Sequence, residues 1–191
     1  MEQPVQLNTT VGLTSNCVLI RRDGLESAIE DSAAPIHNRH GHVTGAVMVF
    51  HDVSVARALS LQVSHLAQHD FLTDLPNRVL LNDRLTQAIG LARRHGTQLA
   101  VLFLDLDRFT HVNDSLGHVT GDTLQQSMAS RLVSCVRRSD TVSRQGGYEF
   151  VLLLSEIAHA DDAAASAHKV LTALAAPLEV AHHELYVSAL T

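Results

Sequence analysis

The sequence predicts an α/β (α+β) fold in which a sheet of buried strands is flanked by amphipathic helices. Two short runs, residues 99–104 and residues 151–154, are apolar at every position, which is typical of strands buried on both faces. Segments with helical periodicity lie before, between and after these runs. Their apolar faces are formed by Leu81, Leu85, Ile89 and Ala92, then by Leu124, Met128, Leu132 and Val136, and finally by Val170, Leu171 and Leu174.

Length and composition place the chain among globular proteins and exclude several functional classes. The 191 residues suffice for one domain and part of another, and 46% of them are hydrophobic. The net charge of −6 gives no electrostatic basis for binding DNA or RNA, so local groups would have to hold any nucleotide. No apolar run has the length of a membrane span. We expect a cytoplasmic location, with a membrane segment outside these residues left open.

The first quarter of the chain predicts a three-stranded antiparallel meander. Its strands are expected near residues 18–21, 25–36 and 43–51, with an Asp-Gly turn at Asp23-Gly24 and a second turn around Gly41. The last strand ends in Asp52-Val53-Ser54. This pattern resembles the C-terminal half of a PAS sensor domain, so residues 1–52 are expected to form a partial PAS domain. Three strands alone bury little surface and would be marginally stable.

Residues 53–69 predict a helix that joins this sensor part to the rest of the chain. Ala56, Leu59, Val63 and Leu66 are spaced three, four and three apart, which is the spacing of a two-helix coiled coil. We therefore expect a homodimer formed through this signalling linker. The alternative is an amphipathic helix lying on its own domain, and two heptads do not separate the two interpretations.

Polar residues then follow the first apolar strand. Asn77, after Pro76, is a good N-cap for the next helix, and Gly96 is a typical end for it. Asp105 and Asp107 come at the end of the strand, where carboxylates are a common means of holding Mg²⁺ with substrate phosphates. A pair of solvated turn carboxylates is the equally supported structural alternative.

Residues 109–122 are expected to form a loop that carries Asn113 and Asp122. An Asn and an Asp together have the donors and acceptors that match the edge of guanine. The structural alternatives are a turn residue for Asn113 and a carboxylate in the first turn of a helix for Asp122. Taken one at a time, these alternatives are favoured.

Gly146-Gly147 predicts a tight hairpin turn with charged residues on both sides. Arg137 and Asp140 precede it and Glu149 follows it. A solvated hairpin is the simpler local interpretation, and the combination of motifs along the chain decides against it.

Together these motifs resemble the GGDEF domain, the diguanylate cyclase family, over residues 70–191. The matching segments are residues 70–78, 105–109, 113–114, 117–118, 121–122 and 146–150. The resemblance implies a sheet flanked by helices similar to the polymerase palm and nucleotide cyclase domains. It also implies bacterial signalling by condensation of two GTP into cyclic di-GMP, in which the 3′-hydroxyl of one GTP attacks the α-phosphate of the other.

The resemblance assigns roles to particular residues. Asp105, the Leu106 carbonyl and Glu149 would bind Mg²⁺ (or Mn²⁺), and Asp105 and Glu149 would be catalytic. Asn113 and Asp122 would bind guanine. Phe109, Gly146 and Gly147 would contribute to substrate binding, and Arg137 and Asp140 would form an inhibitory product site. A phosphodiesterase domain downstream is a common arrangement in this family.

Three departures set this chain apart from the family pattern. Tyr148 stands where the family has Asp or Glu, Thr110 stands where it usually has Lys, and the sequence ends before its later basic residues. A neutral phenol is a poor magnesium ligand. We therefore favour a domain that binds GTP and/or cyclic di-GMP with impaired synthesis. The alternatives are an active cyclase and a fold without a ligand.

Overall fold

The computed structural model describes residues 11–12, 17–107, 109–180, 183–186 and 189–190. It divides into two compact units, residues 1–64 and 65–191. In the described residues, no helix is both long and apolar enough to span a membrane.

The first unit is an antiparallel sheet built around one long strand. Its strands are β1 (Val11–Gly12), β2 (Cys17–Ile20), β3 (Glu26–His37) and β4 (Val43–Asp52). β3 pairs with each of the other three, so the expected meander of β2, β3 and β4 is confirmed. β1 was not expected, because nothing in the polar opening of the chain marks it.

This sheet buries few side chains. Among the described residues of the unit, Ser27 and Ala33 are buried. Large apolar residues of β2 and β4, including Ile20, Val49 and Phe50, are exposed. The sheet thus lacks a core of its own within the described residues, in keeping with the marginal stability expected for so few strands.

A helix, α1 (Ser54–Gln68), follows β4 as predicted. It has no buried residue, and its apolar residues Leu59, Val63 and Leu66 are exposed. These exposed apolar positions are among those that the sequence places at coiled-coil spacing.

The second unit places helices on both faces of a four-stranded sheet. Its elements are α2 (Arg78–His95), β5 (Gln98–Leu106), α3 (Phe109–Leu116), α4 (His118–Cys135), β6 (Thr141–Gly146), β7 (Glu149–Ile157), α5 (Ala160–Ala175), β8 (Leu178–Val180), β9 (His183–Leu185) and β10 (Ala189–Leu190). The sheet order is β10-β5-β7-β6, and each of these pairings is antiparallel.

The core lies on both sides of β7. Phe150 and Leu152 pack in the cluster that contains residues of α4 and α5, whereas Val151 and Leu153 pack against α2. Since side chains alternate along a strand, one continuous apolar run serves both layers. β5 differs from the prediction, because Phe103 near its end is 70% exposed and the strand is buried on one face only there.

The helix ends largely follow the sequence signals. Asn77 caps α2 by accepting hydrogen bonds from two backbone N–H groups, and Gly96 ends it with a left-handed φ of 69°. Ala88 rather than Ile89 lies on the buried face of α2. The strand expected over residues 183–190 is instead two short strands, β9 paired with β8 and β10 paired with β5; residues 187–188 lie outside the described residues.

The loop expected over residues 109–122 is wrong, because this segment forms α3 and the start of α4. Phe109, Val112 and Leu116 are spaced three and four apart, and this helical period was obscured by the many Asn, Asp, Ser and Gly residues. Gly117, with φ of 83°, separates the two helices. Asp122 is the fifth residue of α4, so the first-turn alternative for it is also wrong.

A buried arginine joins three segments of the second unit. Arg144, 8% exposed, donates to both carboxylate oxygens of Asp70 at 2.8 and 2.7 Å. It also donates to Gln125 at 2.6 Å and, through two nitrogens, to the Gly147 carbonyl at 3.2 and 2.9 Å. The loop that contains Asp70, helix α4 and the β6–β7 hairpin therefore all bind the same guanidinium group.

The environment of Asp70 favours its charged form. Burial raises the pKa of Asp70, but hydrogen bonds from Arg144 and from the hydroxyl and N–H of Thr73 outweigh this effect and hold the pKa below its usual value of 3.8. The carboxylate thus contributes stability that is present above the usual pKa and is lost as pH falls through the lowered native value.

We predict that Asp70→Asn lowers the free energy of unfolding by about 3–5 kcal/mol at neutral pH, because Arg144 keeps a buried charge without its counter-ion. Urea denaturation as a function of pH measures this difference, which should shrink as pH falls below 3.8. Asp74→Asn is the matched control, because Asp74 lies in the same loop in an exposed pair with His65. Equal losses in the two variants, or a difference independent of pH, would contradict the prediction.

Candidate functional site

The candidate site is built on the β6–β7 hairpin, as the sequence predicts. Gly146 pairs with Glu149, so Gly147 and Tyr148 form a two-residue loop. Gly147 has a φ of 52°, in the left-handed region that favours glycine. The Tyr148 carbonyl accepts from the Leu106 N–H at 3.3 Å, and this bond helps to hold the loop against the end of β5.

Two carboxylates face each other across the end of the sheet. Asp105 of β5 is directly opposite Glu149 of β7, and both are exposed. Directly opposed residues of an antiparallel pair have Cβ atoms about 4.5–5.5 Å apart, and like charges in this position repel. Since Leu104 and Phe150 beside them are buried against α4, both carboxylates project from the other face of the sheet.

This pair suits a divalent cation that arrives with a ligand. Mg²⁺ is commonly bound by one or two carboxylates together with substrate phosphates and water. Two carboxylates and the nearby Leu106 carbonyl fit that requirement, and a cation would relieve their repulsion. The part of the chain that the structure describes contains no cluster of three or more His, Cys, Asp or Glu residues that could hold a metal by itself. The residues therefore fit a metal shared with phosphates, not a closed protein cage.

The residues expected to bind guanine lie where α3 meets α4. Asn113 is half-buried on α3, and Asp122 is exposed on α4. The absence of a side chain at Gly121, beside Asp122, allows Asn113 to lie close to the backbone of α4. A Cβ atom at this position would lie 1.9 Å from the Asn113 Oδ1 atom and 3.3 Å from the Phe109 ring. Phe109 is 1% exposed and lies next to Gly121, as Asn113 does.

Tyr148 fills the space beside these residues. Its hydroxyl accepts a hydrogen bond from the Asn113 side-chain amide at 3.0 Å. Its ring lies against that of Phe109, with centroids 4.5 Å apart and planes tilted by 31°. The side chain that replaces the family carboxylate is thus engaged with α3.

Arg137 and Asp140 occupy a turn between α4 and β6. The Asp140 carboxylate accepts from the Arg137 N–H at 2.9 Å and from the Ser155 N–H at 3.1 Å, so it ties the turn to β7. The Arg137 side chain is exposed. A cavity of about 290 Å³ is lined by Arg84, Arg137, Arg138 and Asp140 and by the apolar residues Leu75, Pro76, Val133, Val136 and Val142. Three arginines outnumber the one acidic residue in this lining, which favours an anionic ligand.

Comparison with known proteins identifies the family. A family model described as "Diguanylate cyclase, GGDEF domain" matches residues 67–190, which is more than half of the chain. This chain belongs to the GGDEF family. The family match also begins within three residues of the start expected from the sequence motifs.

The GGDEF assignment is supported by bacterial relatives from Pseudomonas aeruginosa. The bifunctional diguanylate cyclase/cyclic di-GMP phosphodiesterase MucR is 48% identical over 136 residues, which cover 71% of this chain and 20% of MucR. The diguanylate cyclase TpbB is 42% identical over 129 residues, covering 68% of this chain and 30% of TpbB. The chain therefore matches less than a third of the length of either relative.

Solved structures show the same palm-like GGDEF fold. The crystal structure of the GGDEF domain of TpbB is 41% identical, with a TM-score of 0.60, and the match covers 61% of this chain and 73% of that one. The crystal structure of the coiled coil and GGDEF domain of DgcB from Caulobacter crescentus, in complex with cyclic di-GMP, is 26% identical with a TM-score of 0.64. The match covers 72% of this chain and 73% of the chain in that structure.

The structure places the expected site residues in three groups. Asp105 faces Glu149; Asn113 and Phe109 lie against Gly121 at the α3–α4 junction, with Asp122 exposed beside Gly121; and Arg137 and Asp140 share a turn. Their functional roles stay predictions. The burial and pairing of Arg144 and Gln125 are not predicted from the sequence. Strand alternation, which places Arg144 on the same face as the buried Val142, is the signal that could have indicated the burial of Arg144.

Proposed function

We propose that this GGDEF domain binds a guanine nucleotide, GTP and/or cyclic di-GMP, and is impaired in the synthesis of cyclic di-GMP. The observation that carries the proposal is the position of Tyr148. Its hydroxyl is bonded to Asn113 and its ring to Phe109, so a side chain expected to face metal and phosphate is committed to α3. The opposed carboxylates of Asp105 and Glu149 remain.

Asp105, Glu149 and the Leu106 carbonyl are the groups that would hold Mg²⁺ or Mn²⁺. The metal would supply neutralisation of phosphate charge, which is what in-line phosphoryl transfer requires most. The phenol of Tyr148, which contacts α3, contributes no negative charge to this pair. Thr110, exposed in the first turn of α3, also offers no positive charge to a phosphate. Binding of a nucleotide is therefore better supported than its condensation.

The alternative is an active cyclase in which Asp105 and Glu149 suffice. The direct opposition of these two carboxylates favours this alternative, because their repulsion is destabilising unless a cation binds between them. The two functions share a binding site and differ in turnover.

We predict that Tyr148→Asp raises the rate of cyclic di-GMP formation from GTP and Mg²⁺ on the order of 100-fold, the factor for about 3 kcal/mol of added charge stabilisation. Chromatography of the reaction products measures the rate. Tyr148→Asn introduces a side chain of the same size as Asp without its charge, and this variant should stay inactive. Equal turnover by the unaltered chain would establish the active-cyclase alternative. A Tyr148→Asp variant that binds GTP without forming product would move the defect to other positions, such as Thr110.

A second part of the proposal is that Arg137 and Asp140 form a site for cyclic di-GMP. It is supported by the exposed Arg137 guanidinium and by the cavity that it lines with Arg84 and Arg138. Both Asp140 oxygens accept backbone hydrogen bonds, so this carboxylate would mainly position the turn.

We predict that Arg137→Ala weakens cyclic di-GMP binding by roughly 10- to 100-fold, as expected when a charged hydrogen-bonding group is removed. Isothermal titration calorimetry measures the affinity. Arg39→Ala, an exposed arginine in the turn between β3 and β4, is the charge-matched control. Unchanged affinity in Arg137→Ala would remove the product-site proposal.

A third part of the proposal is a homodimer through α1. It is supported by the exposed apolar residues Leu59, Val63 and Leu66, which recur at coiled-coil spacing on a helix without buried residues. Pairing two copies of α1 would remove this apolar surface from water.

We predict that the chain is dimeric in sedimentation equilibrium and that Leu59→Lys shifts it to monomer. Leu61→Lys is the matched control, because Leu61 is also exposed on α1 but lies off the coiled-coil face. A monomer at all concentrations, or equal disruption by the two substitutions, would contradict the dimer.

The setting of the domain is also proposed. The antiparallel arrangement of β2, β3 and β4, with exposed apolar side chains, supports a partial PAS sensor over residues 1–52 and a signalling linker over residues 53–69. The bifunctional nature of MucR supports a phosphodiesterase domain downstream. The reading frame on both sides of these residues tests the proposal, and a frame that encodes neither domain would overturn it.

A further inference from the structure

At the junction of α3 and α4, the side chain of Tyr148 contacts Asn113, the residue proposed to bind guanine. Asn113 carries an amide with two N–H donors and a carbonyl acceptor. One donor is directed at the Tyr148 hydroxyl at 3.0 Å. An asparagine that is to bind the acceptor edge of guanine uses this same NH₂ group, one N–H of which the phenol already occupies.

An aromatic contact also holds the phenol in this position. The Tyr148 ring covers Phe109 with a centroid distance of 4.5 Å and belongs to the side chains packed against the main core cluster. A tilted pair at this distance is favourable beyond simple apolar burial. Gly121 leaves room for Asn113, because a Cβ atom at position 121 would lie 1.9 Å from the Asn113 Oδ1 atom. The asparagine therefore lies close to the α4 backbone while its amide donates to the phenol.

The backbone on both sides of Tyr148 is fixed as well. The Gly147 carbonyl accepts two hydrogen bonds from the buried Arg144, and the Tyr148 carbonyl accepts one from the Leu106 N–H. Displacing the phenol from Asn113 thus calls for rotation of a side chain and leaves the hairpin itself in place. A change of rotamer is fast and limited in cost compared with a loop rearrangement.

We propose that Tyr148 is an internal occupant of the guanine site, which a guanine nucleotide must displace from Asn113 in order to bind. The inference rests on the proposed function, because it takes the α3–α4 junction as the base-binding site. It adds that the residue at position 148 sets the affinity of base recognition as well as the metal chemistry. The Asp122 carboxylate, one residue after Gly121, is exposed and would be available to the nucleotide throughout.

The test is the affinity of Tyr148→Phe for GDP, which carries guanine but has no γ-phosphate and is not condensed. This variant keeps the ring on Phe109 and loses only the hydroxyl that engages Asn113. We expect GDP to bind it ~2- to 10-fold more tightly than the unaltered chain, the ratio that corresponds to one neutral hydrogen bond. ADP should bind neither. Tyr186→Phe makes the same chemical change at a residue that is 71% exposed, and should leave the GDP affinity unchanged.

A second readout follows Tyr148 directly. The chain has two tyrosines, so NMR of ¹³C-labelled tyrosine in the Tyr186→Phe variant reports on Tyr148 alone. GDP should shift its ring signals, because displacement ends the contact with Phe109 and Asn113. Equal or weaker GDP binding by Tyr148→Phe, or ring signals that GDP leaves unmoved, would overturn the inference while the domain still binds guanine. Absence of GDP binding in every variant would overturn the proposed function and the inference with it.

Discussion

The second unit depends on one buried cation. Arg144 is almost fully enclosed, and a buried charge without counter-ion and hydrogen bonds costs several kcal/mol. Its partners come from separate segments: Asp70 in the loop between α1 and α2, Gln125 on α4 and Gly147 in the β6–β7 hairpin. Asp70 supplies the counter-ion, and these hydrogen bonds of the guanidinium are all made only when the three segments are assembled. Once they are, the Gly147 carbonyl is fixed, and the side chains that follow it in sequence are aimed by the strand.

Two neighbouring residues of the hairpin, Tyr148 and Glu149, have different surroundings. Glu149 lies on one face of the sheet opposite Asp105, where repulsion between carboxylates favours a cation. Tyr148 lies toward α3, where it satisfies an amide and covers an aromatic ring. A carboxylate at position 148 would add charge to the Asp105–Glu149 pair, whereas the phenol contacts α3. On the proposed function, the chain retains groups that would recognise a guanine nucleotide and lacks a carboxylate that would assist its condensation.

The sequence predicted the elements that local patterns determine. The continuous apolar run in β7, the Asn77 cap and the Gly147 turn follow from strand alternation, capping and positive φ, and each is present. It failed where composition concealed a pattern: Asn113 was placed in a loop because polar residues outweighed the helical spacing around it.

Contacts between distant residues were beyond the sequence argument. The bond from Arg144 to Asp70 spans 74 positions, and the bond from Asn113 to Tyr148 spans 35. Local periodicity carries no information on such pairs. The replacement of a carboxylate by Tyr148 was visible in the sequence, but the position that the phenol adopts was not.

The central claim is that this domain binds a guanine nucleotide without efficiently converting it. The most direct measurement is calorimetric titration of the unaltered chain with GTP and Mg²⁺, followed by chromatography of the nucleotides in the same cell. We predict heat of binding that saturates, with GTP recovered unchanged. Accumulation of cyclic di-GMP over many turnovers, or the absence of any binding heat, would contradict the claim.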